Sequence, residues 1–450
     1  MPAANYFPGN QSCQLFSFNN NSSLISSNFN TYWMYTNQSS GFITNTSITS
    51  TSSPTTSISS SSTTTSTTTS SSSTTSLSTT STSTTTSSST ATSTTTSSST
   101  TTTTGCTNLG MFPYQSTYSV GVLPESVAVV DVNSDNKPDI IVANYGSNTV
   151  GVLLNVGNGT FLSQTNYSVG TGPESVAVVD VNSDNKPDII VANFGTNNVG
   201  VLLNTGNGIF RNQTTYAVGN IPWSVTVADV NNDSKPDITV ANSGLNTVSV
   251  LLNTGNGTFL TQTTYTVGLN PYSVAVADVN SDNKPDIIVA NSGPNTVSVL
   301  LNTGSGTFLG QVTYATGILP KSVAIADVNN DTKPDIIVAN TGSNTVCVLL
   351  NRGNGTFLNA TTYSVGLTPL SVAVVDVNSD NYPDITVANY GSNAVGVLLN
   401  TGNGTFLNQT SYSVGLLPWS VAVIDVNNDN KTDIIVANSG SNSVSVLLHC

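Results

Sequence analysis

The chain has 450 residues, of which only 7% are charged, with nine Lys and Arg against 23 Asp and Glu and a formal net charge of -14. Average soluble proteins carry roughly 25% charged residues, so Ser, Thr and Asn must keep this surface polar. Nine cations are too few to neutralise a phosphate backbone, which excludes a nucleic-acid partner. No run of eighteen apolar residues is present to span a membrane.

In chain order, Met1 to Tyr6 lack the basic start and apolar run of a secretory leader, so export has to be argued from other features. Residues 1–45 form a short segment rich in Asn and aromatics. Its stretches Leu15 to Phe18 and Tyr32 to Tyr35 predict strands that need a partner surface; the plainer alternative is the end of a preceding domain. Residues 46–104 are almost entirely Ser and Thr and cannot bury a core. Two readings stand for them, a mucin-like stalk carrying O-linked sugars and a plain disordered linker. Extended at roughly 3.3 Å per residue, the stretch would reach about 200 Å.

Residues 105–450 repeat with a period of 49, the same signature starting at Asp131, Asp180, Asp229, Asp278, Asp327, Asp376 and Asp425. The first repeat predicts four strands: Ser126 to Asp131, Asp139 to Asn144, Thr149 to Leu154, and Thr160 to Val169. Gly146-Ser147-Asn148 and Gly157-Asn158-Gly159 supply turns between them, and Asn-Gly suits a tight antiparallel hairpin. The first three strands are apolar on both faces, so each sheet must be covered on both sides. Four strands per repeat at this period predict an all-β, seven-bladed propeller of four-stranded antiparallel blades.

The last repeat ends at Cys450 without a fourth strand, while Met111 to Gly121 aligns with Thr405 to Gly415. The N-terminal strand is therefore predicted to complete the C-terminal blade. The same register makes Cys106 and Cys450 neighbours and predicts a ring-locking disulfide, which implies an oxidising compartment; two free thiols are the alternative. Cys347 stands where the sibling repeats have Gly or Ser, and reads either as an inert buried thiol or as a partner for Cys13.

The loop after each first strand carries oxygen side chains at positions one, three, five and nine. These are Asp131, Asn133, Asp135 and Asp139; Asp180, Asn182, Asp184 and Asp188; Asp229, Asn231, Asp233 and Asp237; Asp278, Asn280, Asp282 and Asp286. The last three repeats supply Asp327, Asn329, Asp331 and Asp335; Asp376, Asn378, Asp380 and Asp384; Asp425, Asn427, Asp429 and Asp433. Alternating oxygens on a tight loop suit a hard cation, and Ca2+ above all, with up to seven ions, one per blade. It is not an EF-hand, because position twelve of the first loop is Val142 where a bidentate Glu is required. Every Asp of the chain lies in these loops, and seven divalent ions would cancel the net charge of -14; the alternative is that the loops are only Asx-rich turns.

On these residues the units resemble FG-GAP and VCBS-type repeats, as found in integrin α-chain propellers and many secreted proteins. The resemblance covers 105–450 and implies that the nine-residue loops bind calcium in an extracellular protein. Position six is Asn, Ser or Thr where the family favours Gly, and Ser234 and Thr332 fit a left-handed turn less well than Asn does. Those two loops are candidates for weak sites.

One slot varies among otherwise similar repeats: Glu125, Glu174, Trp223, Tyr272, Lys321, Leu370 and Trp419. It opens the inner strand of each blade and predicts a ring at the mouth of the central channel, opposite the metal loops. The ring reads as a site for sugar or peptide, or as drift at an exposed position. Sequons recur, as at Asn10, Asn37, Asn158, Asn212, Asn256, Asn354, Asn359, Asn403 and Asn408, and some would carry glycans in an exported chain; the alternative for Asn-Gly-Thr is that the hairpin favours Asn-Gly and the strand Thr. One His, at position 449, and Asp residues confined to the loops leave no acid-base pair for catalysis, so no enzymatic activity is expected. Two functions follow: an extracellular structural or adhesive glycoprotein with a protein or glycan partner, assembling head to tail through its N-terminal segment, or a propeller lectin using the variable ring.

Overall fold

The inner strand of every blade is a run of small and β-branched residues. In the first blade it is Pro124–Val130, PESVAVV, buried along its whole length. Such a strand is stable only between two covered faces, and the computed structural model supplies both by stacking seven sheets around an axis. It describes residues 110–450, together with the backbone of three short strands, Phe16–Ser17, Ser23–Ser27 and Tyr32–Thr36. These three pair antiparallel in sequence order, and Met34 makes one parallel bridge to Val129. The Ser/Thr-rich stretch, Cys13 and Cys106 lie outside the described residues.

Each blade runs from the inner strand outward in sequence order, antiparallel throughout. In the first, Val127 lies opposite Val142, Val142 opposite Gly151, and Gly151 opposite Asn166. The second strand, Asp139–Asn144, is buried like the inner one. The outer strand is mostly exposed and shorter than predicted, Thr165–Ser168. Thr160 and Phe161 belong instead to a small hairpin with Asn155–Gly157. The reason is local: Gly157, Asn158 and Gly159 all take positive φ, at 104°, 54° and 67°, turning the chain back and sending Phe161 into the interface with the neighbouring blade.

The predicted closure holds. Tyr114–Ser119 is the outer strand of the seventh blade, paired with Ser443–Leu448 so that Ser116 faces Val446. At the axis the inner strands are tied by one serine each: the Val176 N–H donates to Ser126 Oγ at 3.2 Å, and the pattern continues around to Val127 N–H on Ser420 Oγ at 3.3 Å. The core lies between blades, where Val, Ile, Ala and Leu of one sheet pack on the next. Cys347 is a buried free thiol in such an interface. Among the described residues, no helix is long and apolar enough to cross a membrane.

Candidate metal loops and the channel mouth

The loop between the first two strands is wound around its own first carboxylate. Asp131 Oδ1 accepts the backbone N–H groups of Asn133, Ser134 and Asp135, and Oδ2 accepts that of Asn136 at 2.7 Å. Asn133 Oδ1 accepts the Asp135 N–H at 3.0 Å, and Asp135 Oδ1 accepts the Lys137 N–H at 3.0 Å. This winding needs left-handed backbone twice, at Ser134 and Asn136, with φ 64° and 61°. The sequence pattern points only to the sixth position; the fourth, Ser in four loops and Asn in three, is left-handed in all seven. Ser234 and Thr332 adopt the same left-handed form, at 64° and 66°, where a β-branched side chain is strained.

Position nine is different. Asp139 is fully buried, its Oδ2 accepting Val132 N–H at 3.0 Å and its Oδ1 accepting Asn155 N–H at 2.8 Å. It fastens the loop to the start of the small hairpin at Asn155. Burial pushes its carboxyl up to about 7; the two N–H groups lower it, and the nearby charges of Asp131 and Asp135 raise it further. Asp188, Asp237, Asp286, Asp384 and Asp433 are likewise held at about 7, and Asp335 at about 8, with burial the main cause.

These residues fit a hard divalent cation by their donors: three carboxylates and an amide oxygen within nine residues, the last carboxyl buried. Asp131 Oδ1 already takes three N–H groups and has no lone pair to spare, whereas Asp131 Oδ2, Asn133 Oδ1 and Asp135 Oδ1 each take one and keep another. Among the described residues, no three His, Cys, Asp or Glu side chains converge as a ready metal cluster. In five loops an internal cation meets the position-five carboxylate, as Lys137 Nζ meets Asp135 Oδ2 at 3.2 Å. In the sixth and seventh loops the position-three amide donates there instead, Asn378 to Asp380 at 2.9 Å and Asn427 to Asp429 at 3.2 Å.

Neighbouring loops are linked as well. Asn155 Nδ2 donates to Val426 O of the seventh loop at 2.8 Å, and Asn204 Nδ2 to Val132 O at 2.8 Å, and so on to Asn400. His449 occupies the seventh such slot. There, Thr432, which replaces the loop proline, donates to Asp376 O at 2.9 Å.

At the other end of the inner strands, the variable slot is the extra residue of a bulge, with a register shift between Pro124 and Ser126 and at every counterpart. The expectation of an exposed position is corrected here. Glu125, Glu174 and Leu370 are buried, and Trp223, Tyr272, Lys321 and Trp419 are half-buried, because the bulge turns them toward neighbours. Glu125 and Glu174 share a hydrogen bond; burial pushes Glu125 up to about 7 and Glu174 well above its ordinary value. Lys321 Nζ sits 2.9 Å from the centroid of Tyr272 and 5.5 Å from that of Trp223. Desolvation lowers this ammonium to about 7, and the charge of Glu174 opposes that shift. Trp223 and Tyr272 meet edge to face at 4.4 Å. Trp419 meets Tyr390 at 5.4 Å, on the far side of the ring.

The sequence pattern of a family described as FG-GAP-like repeat matches residues 131–191, 180–240, 229–289, 278–338, 327–387 and 376–436. Each match starts at the first Asp of a loop and runs through the loop of the next blade. No curated protein matches the chain. Among solved structures it is similar to BBS1N in complex with ARL6DN, at 11% identity and TM-score 0.55 over 75% of this chain and 96% of that one. It is also similar to hydrazine synthase of Kuenenia stuttgartiensis, at 16% identity and TM-score 0.55 over 73% and 96%. A streptogramin B lyase matches at 15% identity and TM-score 0.53 over 75% and 98%. At these identities the likeness is one of fold.

Proposed function

This chain belongs to the FG-GAP-like repeat family, and on that footing we propose that it is a non-enzymatic, extracellular structural or adhesive glycoprotein whose propeller binds calcium, up to one ion per blade. The observation that carries the reading is the confinement of all 21 Asp residues to seven equivalent loops at one end of the inner strands. A surface that needed only solubility would scatter its acids. A bound divalent cation supplies a fixed positive charge among carboxylates that burial otherwise drives toward protonation.

The chain's own residues do the rest. Position one organises the loop backbone, positions three and five present oxygens toward solvent, and position nine anchors the loop to the sheet. The amide of Asn155 and its counterparts ties each loop to the next blade. A propeller preceded in the sequence by a Ser/Thr-rich stretch suits adhesion or assembly through the N-terminal segment. A Cys106 to Cys450 disulfide would lock the seam; in its favour, the Cys450 N–H donates to Met111 O at 3.0 Å, only a few residues from Cys106.

Metal analysis of the exported full chain tests the reading. It should return up to seven calcium ions per chain, with a melting temperature that falls on chelation. A chain that binds no calcium and melts identically in chelator overturns it.

A further inference from the structure

The repeats differ least where the fold is made and most at the channel mouth. Five charged side chains lie outside the metal loops, and three of them, Glu125, Glu174 and Lys321, meet there. The two carboxyls are hydrogen-bonded to each other, and burial raises both, while it lowers the Lys321 ammonium. The slot for a cation, over the Tyr272 ring, is already filled by Lys321. Carboxyls and an ammonium that burial drives toward their uncharged forms are poorly suited to selecting an ion.

What it does offer is unspent hydrogen bonding beside aromatic surface. Glu174 is 1% exposed, and its Oε1 is a buried acceptor without a partner. Trp223 Nε1 is a buried donor without a partner. Buried polar groups are nearly always satisfied, and exceptions call for a reason. Beneath them Val127 and Ala128 of the inner strand, like their counterparts, are buried, so the axis is filled below the mouth.

We propose that the channel mouth is a binding well for the terminal unit of a neutral saccharide. Hydroxyl groups can donate to Glu174 and accept from Trp223, and a sugar carries several of them around an apolar C–H face. The C–H faces of a sugar ring pack on Trp223 and Tyr272, and Lys321, on its flexible stem, is the side chain that moves aside. The filled axis limits recognition to an end unit.

The test uses the full chain in calcium, with 15N-labelled Trp, titrated with neutral oligosaccharides that end in different sugars. At least one should shift the Trp223 indole N–H resonance and saturate. Trp223→Phe and Glu174→Leu, each of which removes the hydrogen-bonding atom, should each weaken that affinity about three- to tenfold, as loss of one hydrogen bond does. Leu162→Ser, on an exposed side chain of the first blade's hairpin, should leave it unchanged. Should either variant melt early, the wild-type indole shift still decides. The proposal fails if no neutral sugar moves that resonance, if tetramethylammonium competes better than any sugar, or if binding survives both variants.

Discussion

Tyr412 meets Phe112 edge to face at 5.2 Å, 90° between ring planes, joining two residues near opposite ends of the propeller sequence. Tyr118 makes the same contact with Phe161 at 5.4 Å, Tyr167 with Phe210 at 5.3 Å, and so on around the ring. Each ties one outer strand to the next blade. At Phe112 the contact closes the circle, beside the strand pairing of Tyr114–Ser119 with Ser443–Leu448. Phe112 is buried, so Phe112→Ala should destabilise the propeller by about 3 kcal/mol, the lower range for emptying a buried phenyl site. Denaturant unfolding measures it, and a loss under 1 kcal/mol would show that the seam does not need this ring.

Reduction should weaken the same seam. Peptide mapping of the exported chain is expected to recover Cys106 joined to Cys450, and Cys450→Ser should lower stability by about 4 kcal/mol, as chain-entropy models give for long loops. Recovery of both as free thiols in the native chain would remove the lock from the account.

Thr332 and Ser234 sit at φ 66° and 64°, a region that disfavours side chains by about 1–2 kcal/mol. Thr332→Gly and Ser234→Gly should therefore raise stability by about 1 kcal/mol each, allowing for the entropy that glycine adds to the unfolded chain. Asn136→Gly, at φ 61°, should change little. A lower melting temperature for Thr332→Gly would mean that its side chain contributes something the backbone strain does not outweigh.

Positions five and nine of one loop should separate by experiment. Asp135 is exposed, paired with Lys137, so Asp135→Ala should remove one calcium while changing stability in chelator by no more than about 0.5 kcal/mol. Asp139→Ala strands two buried backbone N–H groups, those of Val132 and Asn155. It should destabilise the chain by about 3 kcal/mol even without metal. Equal losses in chelator for the two variants would contradict this division.

Without calcium the pH dependence has a definite sign. The position-nine carboxyls rise from 3.8 to about 7 in the fold, as Asp139 and Asp188 do, so the folded chain holds more protons than the unfolded one across that window. Their stabilisation is fully present below pH 3.8 and is lost as pH rises through about 7. In chelator, the melting temperature should fall from pH 5 toward pH 8; saturating calcium should flatten that slope and release protons on binding. A metal-free chain that grows more stable over this range would refute the sign.

The regular parts of this protein were legible because the repeats are nearly identical. Asp139–Asn144 appears in the structure with its predicted bounds, and the alignment of Met111 to Gly121 with Thr405 to Gly415 identified the strand that closes the ring. The shortened outer strand was less visible, because Thr160 and Phe161 look as strand-forming as the residues after them. Only the three positive φ values before them, and the burial of Phe161 on the next blade, break the run.

Local pattern thus determined the blade, the number of blades and the place of every carboxylate, since each depends on residues within one repeat or one period away. Tertiary structure decided which unlike residues meet. Glu174 and Lys321 belong to the second and fifth blades, yet their charges act on each other, because closing seven sheets on a narrow axis brings the starts of all inner strands together. A sequence with period 49 gives every blade the same address along the chain; distance across the axis is set by closure, and no spacing encodes it.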